Sequence, residues 1–119
     1  MNAINTLYIV AKTTFDSLPT TAQNVLRGCD VRLGDAGYTA AGDKIEGLAR
    51  ADGQLVVLDR ATVERYASDH AYLENLLAHE LAHAYRARRG ENAPVGSAAE
   101  EEGACRLVKS WGFRDKQGR

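Results

Sequence analysis

No stretch of this chain approaches the roughly 20 consecutive apolar residues that a membrane helix requires, so no membrane-embedded role is expected. The opening Met1 to Val10 lacks the basic run and long apolar core of a secretory leader. Cysteine is scarce: Cys29 and Cys105 are the only two, and they lie too far apart to read as a disulfide framework. Neither sign of charge is in excess, with 15 Lys and Arg against 16 Asp and Glu. That balance implies neither a nucleic acid nor an acidic membrane surface as a partner. Proline is limited to Pro19 and Pro94, and there is no repeat, low-complexity tract or linker on which to divide the chain. The expectation is one domain over residues 1–119 with a single core, cytoplasmic, and a monomer or small homo-oligomer.

Periodicity supplies the coarse order. Ile4, Leu7, Tyr8, Ala11 and Phe15 recur at helical spacing. Thr20-Thr21-Ala22-Gln23 has the form of a capping box opening a second helix. Cys29 to Leu33 alternates between Gly28 and Gly34 and reads as a strand. After a glycine-rich loop from Gly34 to Gly42, Ile45 to Ala49 and Leu55 to Leu58 read as two strands joined at Asp52-Gly53, a dipeptide suited to tight hairpins. Asp59 can cap a short helix. Ser68 or Asp69 can cap a long one from about His70 to Arg89, closed by Gly90. Ser97-Ala98-Ala99-Glu100 is a second capping box, opening a helix with Ala104, Leu107, Val108 and Trp111 on one stripe. The fold class expected is α+β: helices, a small three-stranded sheet, then helices again.

The chain holds three histidines, and two of them form His79-Glu80-Leu81-Ala82-His83. Four residues apart on a helix, both imidazoles project from one face and can reach a single metal ion. Glu80, beside the first ligand, is placed to take a proton from water at that metal without binding the metal itself. Leu73, Leu76, Leu77, Leu81 and Ala84 supply the apolar face such a helix needs. Catalytic zinc takes three protein ligands, and His70, roughly two and a half turns upstream, is out of reach. The downstream candidates are Glu91, Glu100, Glu101 and Glu102. Glu91 stands too close to the end of the metal helix, and Glu100 is accounted for by its capping box. Glu101 and Glu102 remain.

With no histidine after His83 and no methionine after Met1, the metzincin arrangement is excluded. The segment from His79 to Glu102 resembles the gluzincins, the thermolysin and aminopeptidase N class, in which two helical histidines are followed by a glutamate on a second helix. Glu101-Glu102-Gly103 is similar to the aminopeptidase Asn-Glu-Gly signature, with Glu102 in the ligand place and at the same spacing from His83. The resemblance therefore implies zinc held by His79, His83 and Glu102, with Glu101 second in line. Ala78-His79-Glu80-Leu81-Ala82-His83-Ala84-Tyr85 and Glu101-Glu102-Gly103-Ala104-Cys105 also resemble the peptidase domain of plant LIM-domain, ubiquitin-activated peptidases. In size the chain resembles the minigluzincins, some of which are latent. One departure stands out: many gluzincins carry an aspartate four residues after the glutamate ligand, and here that position is Arg106.

The function this implies is a zinc metallopeptidase of minimal zincin-like fold, acting on a peptide or protein segment. The strand around Gly47, Leu48 and Ala49 would bind extended substrate, with Gly47 either admitting a close backbone or marking a bulge. The alternative is a latent or inactive binding protein of the same fold, its cleft covered by the tail from Gly112 to Arg119. Tyr38, Tyr66, Tyr72 and Tyr85 are available as oxyanion donors but read as packed aromatics, and Cys105 as a small buried support for the helix contact. Arg86 to Arg89 read as a solvated helix end that complements the dipole.

Overall fold

Capping aspartates and prolines cut the chain much as their chemistry dictates. In a computed structural model, which describes residues 2–114, helices α1 (Ala3–Asp16) and α2 (Thr20–Val25) precede strands β1 (Asp30–Gly34), β2 (Gly47–Ala49) and β3 (Leu55–Asp59). Helices α3 (Arg60–Arg65), α4 (His70–Arg88) and α5 (Ala98–Ser110) follow. The class is α+β, as expected. Among the described residues, no helix is long and apolar enough to cross a membrane. Residues 115–119, most of the tail suggested as a cleft cover, lie outside the described residues.

The sheet order is β1-β3-β2. β1 runs parallel to β3 from Asp30↔Leu55 to Gly34↔Asp59, and β2 runs antiparallel to β3 through Gly47↔Leu58, Leu48↔Val57 and Ala49↔Val56. β3 is central, and its Val56 and Leu58 are wholly buried. They meet Val10, Leu26, Val63, Leu73 and Leu77 in the main core. Each such side chain contributes about 1.5–3 kcal/mol of transfer free energy. The Asp52-Gly53 turn is longer than a two-residue hairpin. Gly53 N–H bonds Arg50 O at 2.9 Å and Arg50 N–H bonds Leu55 O at 2.8 Å, which puts Gly53 after the turn's central pair. Its φ of +72°, and a Cβ position only 2.7 Å from Ala84 O, leave no room for another residue.

Two local expectations fail. α1 turns Ala3, Thr6, Val10 and Thr14 inward, while Ile4 and Tyr8 of the expected stripe are 63% and 70% exposed. The face turned fully inward carries small and β-branched residues, while Leu7, Ala11 and Phe15 of the expected stripe pack beside the core, partly buried. At α2 the N-cap is Pro19 and no side chain caps it. Gln23 donates to Phe15 O at 3.0 Å and Leu18 O at 3.1 Å, tying the α1–α2 corner instead of closing a capping box.

The other three N-caps form, at Ser97 without the returning half of the capping box. Asp59 accepts from Thr62 N–H, Asp69 from Tyr72 N–H and Ser97 from Glu100 N–H. α5 seats on α4 through Ala104 and Val108 against Ala78 and Ala82, all fully buried. Small residues on both sides let the two helix axes approach closely. That closeness carries the start of α5 to the histidine face of α4.

Candidate metal centre

The helical spacing of His79 and His83 puts both rings on the face of α4 that meets α5, with Nε2 atoms 3.1 Å apart. Glu101, in the first turn of α5, brings one carboxylate oxygen to 3.1 Å from His79 Nε2 and the other to 3.4 Å from His83 Nε2. Ligand atoms of these three residues all lie within 4.8 Å of one another. Ligands about 2.0–2.1 Å from a tetrahedral centre stand about 3.4 Å apart, so the donor set has the spacing a metal ion requires. His79 is fully buried and Glu101 is 41% exposed, which leaves the group open on one side. A His79–His83–Glu101 group able to hold a metal ion is therefore present.

Glu102, the first choice as third ligand, is not brought to the histidines. Its side chain is 76% exposed and lies 4.0 Å from Arg106, one turn along the same helix. One residue is about 100° of helix rotation, enough to turn the side chain from the α4 interface to solvent. Ser97 fixes the register by capping α5 through Glu100 N–H at 3.2 Å.

Glu100 does more than its capping box required. Its carboxylate does not return to Ser97 N–H, which bonds Pro94 O instead. Oε2 accepts from His83 Nδ1 at 2.7 Å, and Oε1 accepts from Arg86 Nε at 3.1 Å and from Ala93 N–H at 2.8 Å. Burial pushes this carboxyl upward, but the bonds from His83, Ala93 and Arg86 outweigh it and hold it below the ordinary range. His83 Nδ1 faces Glu100, so Nε2 is the ring atom turned toward His79 and Glu101. Glu100 thus supplies the carboxylate partner that Arg106 cannot. Sequence reasoning missed this role because the capping pattern offered a sufficient account of the residue. Arg86 was read as solvated and is instead half-buried on Glu100. Arg88 donates to Val25 O, Arg27 O, Gly53 O and Gln54 Oε1, tying two loops to α4. Arg89, half exposed against Glu91, fits the solvated reading.

Glu80 is buried beside β2, where a Cβ on Gly47 would lie 3.0 Å from Glu80 Cγ. Gly47 pairs in regular register, so it marks no bulge; the group that approaches it closely is Glu80 itself. A cleft of about 300 Å³ is lined by Gly47, Leu48 and Ala49 of β2, Glu80 and His83 of α4, Glu101 of α5, and Ala93, Val95 and Gly96 of the loop between those helices. β2 has β3 as its only strand partner among the described residues. Asp59 N–H bonds Glu46 O and Arg50 N–H bonds Leu55 O, so by ladder alternation Gly47 and Ala49 turn their N–H and C=O toward the outer edge.

None of the four tyrosines lines this cleft. Lys44 lies over the Tyr38 ring, Tyr66 stacks on Tyr72, and Tyr85 meets Trp111 edge-on. The Tyr72 hydroxyl donates to Glu46, and burial together with that carboxylate pushes its phenol well upward. His70 opens α4, apart from the metal group, and Cys105 is half-buried. Comparisons with protein-family models, with curated proteins and with solved structures return no match to this chain.

Proposed function

We propose that this chain is a zinc-dependent peptide hydrolase of minimal gluzincin type, with His79, His83 and Glu101 as the metal ligands. The observation that carries the reading is a cleft in which two members of this donor set, His83 and Glu101, meet the buried Glu80 and the edge strand β2, with His79 buried directly behind them. Two imidazoles and one carboxylate suit zinc better than calcium or magnesium, which favour all-oxygen sites. Bound zinc would act as a Lewis acid, polarising a peptide carbonyl and lowering the pKa of water.

The chain's own residues account for the remainder. Glu80 accepts the proton of the attacking water on a carboxylate oxygen and passes it to the departing amine nitrogen. Gly47 and Ala49 pair with the backbone of an extended substrate along the outer edge of β2. Gly47 lacks a side chain, so Glu80 can lie against the strand and reach the same bond. Glu100 holds His83 in the tautomer that ligation needs.

The test is metal content of purified wild type, His83→Ala and Glu101→Ala, with digestion of a broad peptide library. About one zinc per wild-type chain, lost in both variants, and cleavage abolished in a zinc-retaining Glu80→Gln protein are the expected results. Zinc without cleavage would favour a latent binding protein of the same fold, and failure to bind zinc after reconstitution would end the metal reading.

A further inference from the structure

The cleft has one wall made of a strand and one made of a loop. The loop wall, residues 92–96, contributes Asn92, Ala93, Val95 and Gly96, and Val95 is 81% exposed at its mouth. Little in its own sequence holds it. Ser97 N–H bonds Pro94 O at 3.0 Å, and Arg86 Nη2 donates to Glu91 O at 3.0 Å just before it. Among the described residues its remaining hydrogen-bond anchor is from Ala93 N–H to Glu100 Oε1, and the other oxygen of that buried carboxylate accepts from His83 Nδ1.

Resting on the metal centre proposed above, we infer that Glu100 is a positioning residue that couples metal binding at His83 to the placement of the 92–96 wall. A metal on Nε2 draws electron density from the imidazole and makes Nδ1–H a stronger donor. Its bond to Glu100 tightens, and the carboxylate is fixed more firmly. Ala93 N–H shares that carboxylate and is fixed with it. Arg86, on the same oxygen as Ala93, keeps the carboxylate from rotating toward either partner alone. Linkage is reciprocal, so a well-placed wall strengthens metal binding by the same factor. A chain that has lost its metal would have a loosened cleft, and substrate lying against the loop wall would help retain the metal.

Amide hydrogen exchange on the full chain, with and without zinc, tests this without any variant. Zinc should slow exchange at Asn92, Ala93, Val95 and Gly96 about tenfold more than at the β1–β3 ladder, a coupling of ordinary size. Glu100→Gln can offer one acceptor oxygen, not two, and so cannot serve both sides. It should still bind zinc, about 10- to 100-fold more weakly, and zinc should no longer change exchange in 92–96. Ala93→Pro removes the loop N–H and leaves the carboxylate, and should weaken zinc binding several-fold while Glu100→Asp partly restores what Glu100→Gln loses. Zinc binding by wild type with 92–96 unaltered would overturn the coupling and leave the metal centre standing, as would undiminished affinity in Glu100→Gln. No zinc binding by wild type would remove the metal centre and the coupling together. Should Glu100→Gln fail to fold, the wild-type comparison decides alone.

Discussion

Gly47 on β2 and Glu80 on α4 meet so closely that a methyl group on the glycine would lie 3.0 Å from Glu80 Cγ and 3.1 Å from Leu58 Cδ2. Both contacts are tighter than side chains ordinarily make, and Leu58 is locked in the core. Glu80 is therefore the neighbour that must move. Gly47→Ala should cost about 1 kcal/mol of stability through overpacking. Its larger effect should fall on hydrolysis, because displacing a proton-transfer group by less than 1 Å costs on the order of tenfold or more. Zinc content should be unchanged, since the atoms nearest the added methyl belong to Glu80, Leu58 and Val57 and not to His79, His83 or Glu101. Loss of metal in Gly47→Ala would show that β2 supports the ligands and not the base.

The two adjacent glutamates at the start of α5 make a sharp pair. Glu101→Ala removes a carboxylate facing both histidines and should lower zinc affinity by about 100-fold, the upper range for lost metal-site partners. Glu102→Ala removes one that faces solvent and should leave affinity within about twofold. The readout is thermal. Ligand at about 1,000 times its dissociation constant stabilises the native state by about 4 kcal/mol. Zinc should raise the melting temperature of wild type and Glu102→Ala, and a chelator should reverse it. Glu101→Ala should show little response. A reversed pattern would restore Glu102 as ligand.

That pair also marks how far the sequence could be read. The histidine spacing fixed which face of α4 carries the site, because two residues four apart share a face in any regular helix. The third ligand depends on how α5 is rotated about its axis. That rotation is set by the Ser97 cap and by which small residues of α5 nest against Ala78 and Ala82, and neither is visible in the spacing along the chain. The sheet was legible because β3 is the central strand, with Val56 and Leu58 buried, and Asp59 ends it. The inward face of α1 was not, because it buries the polar Thr6 and Thr14 while Ile4 and Tyr8 turn outward, against what their side chains suggest.

Asp59 ties three parts of the chain together. It caps α3 through Thr62, accepts from Ala36 N–H at 3.2 Å, and pairs with Lys44 at 2.9 Å, an ammonium it shares with Asp35. Burial pushes its carboxyl upward, but Lys44 and the two backbone N–H groups outweigh that and hold it below the ordinary 3.8. A depressed folded pKa means the unfolded chain binds more protons near that pH. The stability it contributes is full above the unfolded value and is lost as pH falls through the folded one. Wild type should therefore lose stability below about pH 4. Asp59→Asn keeps a capping oxygen, so it should lose the Lys44 pairing and about 1 kcal/mol at neutral pH. Its acid limb should be shallower than that of wild type. Urea midpoints measured from neutral to acid pH check both points, and parallel acid limbs would assign the acid sensitivity to other carboxylates.

Gly103 lies directly under the guanidinium of Arg86, and a Cβ there would overlap it. This gives the glycine of Glu101-Glu102-Gly103 a physical reason: it opens the path by which Arg86 reaches Glu100 and Glu91 O. Two effects oppose each other in Gly103→Ala. Alanine in a helix interior gains about 1 kcal/mol over glycine. Displacing Arg86 loses charge-assisted bonds to a buried carboxylate, about 1.5–3 kcal/mol. The loss should win in wild type, for a net cost of about 1 kcal/mol, with zinc affinity falling as Glu100 loses its brace. In an Arg86→Ala background the three atoms nearest the methyl are gone, and the same substitution should stabilise by about 1 kcal/mol. Chemical denaturation of the four proteins in this cycle measures the sign directly. A reversal of sign would tie the glycine to Arg86; an equal cost in both backgrounds would place the obstruction in the α4 backbone instead of in Arg86.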